Sequence, residues 1–180
     1  MLKRLVVVVV VVLAFAPTAL GVNARHAAAS VQSLPVDGVL APGKSLGGIR
    51  IGQTAAQVIK AWGRNYKVCP KTDCKGAAVV WYYIYSHGDP LGAAVRFRNG
   101  KVVAVFTLGS PAGWHTAQGL LVGDSVERAN QLYGQLGWSV CIGYGAMTMR
   151  NGTNTVTSIF TTGEAIYGFA ITKPGETICQ

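Results

Sequence analysis

From Gly47 to Gly63 the chain reads GGIRIGQTAAQVIKAWG, and from Gln118 to Gly134 it reads QGLLVGDSVERANQLYG. The two stretches align without a gap. Gly48, Ile51, Gly52, Thr54, Trp62 and Gly63 meet Gly119, Val122, Gly123, Ser125, Tyr133 and Gly134. In the first stretch Thr54 suits a helix N-cap, and Gln57 three residues on completes a capping box. Ala55, Val58, Ile59 and Trp62 recur at helical spacing, one apolar face of a short helix. Gly63 is placed to end it. In the second, Ser125 caps, Val126, Ala129 and Tyr133 form the stripe, and Gly134 stops it. Helices of about two turns do not hold in water alone, so each predicts a surface to lie on.

That surface reads as sheet. VVWYYIYS (Val79–Ser86) is dense in β-branched and aromatic residues. AVRFRNGKVVAVF (Ala94–Phe106) holds Asn99-Gly100 between alternating runs, a strong hairpin signal. With a two-residue turn there, Arg98 faces Lys101 and Phe97 faces Val102. Strict alternation then puts Val95, Phe97, Val102, Ala104 and Phe106 on the core face. It puts Arg96, Arg98, Lys101, Val103 and Val105 on the other. In the second half Thr162-Gly163 is read as the turn, with Phe160, Ala165, Tyr167 and Phe169 on one face. The expected fold is α+β: two tandem repeats, each a short helical segment on an antiparallel meander, sharing one sheet with an open face.

The organisation follows from composition. Lys3 and Arg4 precede the apolar run Leu5–Ala16, which Pro17 breaks; this is the order of a signal peptide, predicted to span 1–24. The run is shorter than the roughly 20 apolar residues of a membrane span, so no stable span is expected after cleavage. No cysteine directly follows it, so a lipid anchor is not expected. Residues 25–44 are read as a mobile tail, 45–113 as a first repeat and 114–180 as a second. The first repeat is basic: Lys44 to Gly113 holds ten Lys/Arg against two Asp/Glu, +8. Trp114 to Gln180 holds three against four, −1. Such a lobe outside the cytoplasm suits acidic protein surfaces, anionic lipid or cell-wall polyanions. Export and the lack of a motif argue against nucleic acid.

Cys69, Cys74, Cys141 and Cys179 are an even set in an exported chain, which predicts two disulfides with three possible pairings. Cys69–Cys74 with Cys141–Cys179 is favoured because each bridge then stays within one repeat. Zinc is not expected, since only one close pair exists.

The pattern Gly-x-x-x-Gly-[Gln/Asp]-[Thr/Ser] before a short helix ending in Gly, followed by a meander, resembles the β-lactamase inhibitor protein-like fold. That fold is shared with the small lipoprotein of the outer-membrane barrel-assembly machinery. RIGQTAAQVIKAWG, LVGDSVERANQLYG and VRFRNGKVVAVF carry the resemblance. It implies a non-enzymatic module that binds an extracellular or envelope protein through an exposed sheet face, an inhibitor being one form. The residues nominate that face independently: Trp81, Tyr83 and Tyr85 beside Arg96, Arg98 and Lys101, a composition favoured at binding hot spots.

Signals for enzymatic chemistry are weak. GVLAPGKS (Gly38–Ser45) matches Gly-x4-Gly-Lys-Ser, but a phosphate loop needs a strand before it and a helix after it, and Pro42 lacks an N–H. His26, His87 and His115 are isolated. Asp124 and Glu127 at a helix start answer to the macrodipole. No cofactor and no catalytic residue are nominated, and the expected location is secreted or cell envelope. The alternatives are a structural envelope protein holding a polyanion on the basic lobe, or a hydrolase with an unrecognised site.

Overall fold

A computed structural model describes residues 34–35, 38–70, 78–83, 92–109, 111 and 113–179. The predicted signal peptide, the tail as far as residue 33, Cys74, Tyr85, His26 and His87 lie outside the described residues. The two helices form where the caps predict. Helix α1 spans Ala55–Trp62, with both bonds of the capping box between Thr54 and Gln57 in place. Helix α2 spans Val126–Tyr133, with the Ser125 side chain accepting from the Arg128 N–H at 3.1 Å. Each ends on a glycine: Gly63 at φ 81°, ψ −169° and Gly134 at φ 73°, ψ −166°. That combination is essentially reserved for glycine, a stricter demand than the left-handed cap alone.

Eleven strands complete the described chain. β1 (Val39–Ala41), β2 (Ser45–Leu46) and β7 (His115–Thr116) make a small sheet, in which β1 runs antiparallel to β2 and parallel to β7. The large sheet holds β3 (Lys67–Val68), β4 (Val79–Tyr82), β5 (Gly92–Arg98), β6 (Lys101–Leu108), β8 (Gly137–Cys141), β9 (Tyr144–Asn151), β10 (Thr155–Thr162) and β11 (Ala165–Thr172). Its order is β3-β4-β5-β6-β11-β10-β9-β8, antiparallel throughout. Asn99 at φ 51° and Gly100 at φ 70° make the expected β5–β6 turn. The β10–β11 turn is Gly163-Glu164, one residue later than expected, because Thr162 pairs with Ala165.

Several expectations are corrected. Residues 38–44, read as tail, are ordered: Leu40 is fully buried in β1, and the segment read as a spurious phosphate loop is the β1–turn–β2 hairpin. Gly43 is pinned to β10, its N–H donating to Thr157 Oγ1 at 2.9 Å. As the expected shared sheet requires, residues on either side of 113/114 lie in one core.

The face assignment also changes. A bulge at Val103 lets Arg96 face Ala104, while Phe97 faces Val102. One extra residue reverses every side chain beyond it. Val105 therefore joins Val95, Phe97 and Val102 in the core on the helix side, and Phe106 crosses to the other face. A second bulge at Tyr167 splits the other expected set: Phe169 lies with the helices and Phe160 opposite.

Nor is one side of the sheet open. Ala94, Phe106, Phe160 and Ala170 form a second core there, all at most 2% exposed, with Ile178 and Cys179 of the C-terminal segment packed against it. The Cys141–Cys179 disulfide ties that segment down, with Cα atoms 5.4 Å apart. Cys69 is also disulfide-bonded.

On the helix side the core is organised by Trp62 and Trp114, both fully buried, with ring centroids 5.5 Å apart and edge to face. Trp62 Nε1 donates to the Gly47 carbonyl at 2.7 Å, and Trp114 Nε1 to that of Pro35 at 3.0 Å. The Trp114 ring lies against Gly38, where a Cβ would stand 2.3 Å from ring carbons. Gly38→Ala is expected to cost about 1–3 kcal/mol through overpacking. The cost should largely vanish in a Trp114→Ala background, a coupling that denaturant titration of the double-mutant cycle will measure.

Candidate functional site

The six residues nominated for partner binding do not share a face. Trp81 lies on the helix side, stacked on Tyr66 with centroids 3.9 Å apart and 4.6 Å from Phe97. Tyr83 is buried on that side too, edge-on to Trp62 at 5.1 Å, its hydroxyl 3.3 Å from the Gly63 carbonyl. Tyr85 is outside the described residues. Arg96 occupies the opposite face beside Val80 and Ala104. The reason is that β4 is apolar on both sides, so alternation alone could not orient it; Val80 and Tyr82 serve the second core instead. Burial lowers the Arg96 pKa from its ordinary value, partly offset by the negative charge of Glu176.

Arg98 and Lys101 do come together, at the β5–β6 turn, in a cleft of about 380 Å³. Its walls add Lys173 and Glu176 from the C-terminal segment, and Ile51 from the loop before α1. Backbone bonds fix these pieces. The Gly52 N–H donates to the Val102 carbonyl at 2.8 Å, the Val102 N–H to that of Gln53 at 2.8 Å, and the Lys173 N–H to that of Val103 at 2.8 Å. Val102 and Val103 are buried beneath.

The electrostatics favour anions. Glu176 grips Arg98 with both oxygens, at 2.9 Å from Nε and 3.0 Å from a terminal nitrogen. The Glu176 side chain is 11% exposed and that of Arg98 46%. Glu176 thus serves to hold Arg98 in place and leaves the cleft net positive, since Lys101 and Lys173 are both exposed. Such a site can take a carboxylate, sulfate or phosphate group: a charge-assisted bond from arginine and two mobile ammonium groups. Among the described residues no three His, Cys, Asp or Glu side chains are grouped to hold a metal ion. His115 is half-buried, with Nδ1 3.1 Å from the Gly113 carbonyl.

Sequence reasoning reached Arg98 and Lys101 through their turn. It missed Lys173, Glu176 and Ile51. The stretch KPGE (Lys173–Glu176) does signal a turn, but nothing local says which strand end it will meet.

No protein-family model matches the chain, and no curated protein does. Among solved structures, the chain is similar to a cysteine-rich secretory protein from Staphylococcus aureus, with TM-score 0.50 and 10% identity, covering 74% of this chain and 47% of that one. It is also similar to an extracellular protein containing an SCP domain from Bacillus anthracis, with TM-score 0.47 and 10% identity, covering 69% and 44%. The chain spans less than half the length of either.

The neighbour with TM-score 0.50 is a cysteine-rich secretory protein, not a β-lactamase inhibitor protein or an assembly lipoprotein. The resemblance read from the short motifs is therefore corrected, and a tandem repeat is not indicated. The physical reason lies in the motifs themselves. Gly, then Thr or Ser, then an apolar stripe and a closing Gly is what a short capped helix requires anywhere, so its recurrence carries little information on descent. What stands is an α+β chain, rich in strands, with two sheets and two helices among the described residues.

Two outcomes follow for the nominated aromatics. Trp81→Ala should cost about 3 kcal/mol, as for a packed aromatic, whereas Lys101→Ala should stay within about 0.5 kcal/mol; urea unfolding will separate them. Burial, with a smaller contribution from Tyr66, raises the Tyr83 pKa well above the ordinary phenol value. Its contribution to stability is therefore whole below pH about 10 and is lost as pH rises beyond. In Tyr83→Phe the alkaline decline of the unfolding midpoint should be shallower.

Proposed function

We propose that this chain is an exported, non-enzymatic binding module that holds an acidic segment of an extracellular or envelope protein in the Arg98–Lys101–Lys173 cleft. The observation that carries the reading is the convergence of three cations above an apolar floor of Ile51, Val102 and Val103, with the one carboxylate of the cleft engaged on Arg98. Export is supported by the charged-then-apolar start, by the Cys141–Cys179 disulfide and by the fold shared with a secretory protein. No helix of the described residues is long and apolar enough to cross a membrane. Inhibition of a partner enzyme is one form such binding would take.

A second reading, retention of a cell-wall polyanion, is favoured by the +8 excess over Lys44–Gly113. The two differ in what they need. A polyanion spreads over exposed charges and is screened by salt. An acidic peptide also uses the apolar floor and keeps part of its affinity.

The test is titration with a peptide of alternating glutamate and leucine, its glutamine counterpart, and a teichoic-acid-type polyphosphate. The acidic peptide should bind and its glutamine version should not. The double variant Lys101→Gln/Lys173→Gln should weaken it about tenfold, roughly 1.4 kcal/mol, without moving the unfolding midpoint. Equal binding of the two peptides overturns the reading. Binding of the polyphosphate alone, abolished by moderate salt, replaces it with the second.

A further inference from the structure

The dipeptide Asn-Gly occurs twice, as Asn99-Gly100 and as Asn151-Gly152, each time where a hairpin turns. Asparagine before glycine is chemically labile. The glycine nitrogen can reach the side-chain Cγ of the asparagine, and a residue without a side chain does not screen the approach. The fold treats the two pairs differently. At the β5–β6 turn Arg98 pairs with Lys101, which leaves Asn99 and Gly100 beyond the ladder. Both are exposed, and nothing lies within 4 Å of the place a Gly100 Cβ would take. At the β9–β10 turn Asn151 is the last rung of the ladder, facing Thr155, and is half-buried. Its Oδ1 accepts from Thr157 Oγ1 at 2.6 Å, and Thr157 Oγ1 accepts in turn from the Gly43 N–H at 2.9 Å. Its Cβ packs on Gly43, where an added Cβ would stand 2.5 Å away. The Asn151 amide cannot swing toward Gly152 without breaking that network.

We infer that Asn99 is a modification site, at which the side-chain amide is lost spontaneously and an acidic residue is left in the basic cleft. The Gly100 nitrogen gives up its proton and attacks Asn99 Cγ. The N–Cγ bond forms, the Cγ–Nδ2 bond breaks, and ammonia leaves with the proton, closing a succinimide ring. Water then opens the ring at either carbonyl and yields aspartate or isoaspartate. The sum is amide plus water to carboxylic acid plus ammonia, and solvent is the one co-reactant.

The place of Asn99 gives the reaction a consequence. It lines the cleft with Arg98, Lys101 and Lys173. Nearby cations favour the carboxylate that the reaction creates. Glu176 already engages Arg98, so the converted cleft sets two carboxylates against three cations and holds an incoming anion less well. Among the described residues Asn99 is the one non-glycine residue at positive φ, 51°. Aspartate tolerates that region as asparagine does, so the aspartate form keeps the turn. Isoaspartate adds a methylene to the main chain between Arg98 and Lys101 and loosens it. The age of an exported molecule then sets the charge of its cleft. That effect on binding rests on the anion-binding reading of the cleft; the modification itself does not.

The test is peptide mapping by mass spectrometry on the full, disulfide-intact protein, held in neutral buffer and sampled over days. Acid at residue 99 should accumulate roughly tenfold faster than at residue 151, a barrier difference of about 1.4 kcal/mol. In urea, where the fold no longer separates the two pairs, the rates should converge. Asn99→Gly keeps the turn and carries no amide, so it should abolish the early acidic product. Asn99→Asp should bind the glutamate–leucine peptide about threefold more weakly, the scale of one exposed charge pair, without moving the unfolding midpoint. Equal rates at 99 and 151 in the folded protein overturn the site. So does a folded protein in which residue 99 stays intact while both pairs convert in urea. Equal binding by the unmodified protein and Asn99→Asp overturns the effect on the cleft. A peptide that binds neither overturns the reading of the cleft, while the mapping still decides the modification.

Discussion

The contact of Trp62 with Trp114 is the constraint on which the rest of the helix side depends. One ring belongs to α1 and the other to the connection after β6. Both are fully buried, and each must place an indole N–H. Those N–H groups reach the carbonyls of Gly47 and Pro35, so the N-terminal strands are drawn onto the sheet. Gly38 and Gly47 are thin because the Trp114 ring occupies the space a side chain would need. The parallel pairing of β1 with β7 follows, since Trp114 immediately precedes β7. A segment that reads as a tail is in this way built into the structure.

The opposite face has a different logic. Its central positions are small or aromatic, and the C-terminal segment lies on them. That segment is held at two points, by Glu176 on Arg98 and by the disulfide to Cys141. Covering this face removes it as a docking platform. The same segment carries Lys173 to the β5–β6 turn, so the coverage of one surface builds the basic cleft at its end.

Legibility varied by element. Thr54, Ser125, Gly63, Gly134 and the Asn99-Gly100 turn were readable, because caps and tight turns are decided by neighbours within four residues. Strand faces were not. Two bulges, at Val103 and Tyr167, each insert one residue and reverse what alternation predicts. In β4 both sides are apolar, so the choice between Trp81 and Val80 fell to whichever packing was better. Trp81 turned toward Tyr66 and Phe97.

By itself the sequence determined where helices start and stop, where the first hairpin turns, which half is basic, and that its cysteines pair off. These depend on local backbone geometry or on composition. Only the tertiary structure decided which side chains share a face, that both sides of the sheet are buried, and that Lys173 and Glu176 meet Arg98. Those outcomes rest on bulges and on contacts between residues more than seventy positions apart, and short-range chemistry does not specify them.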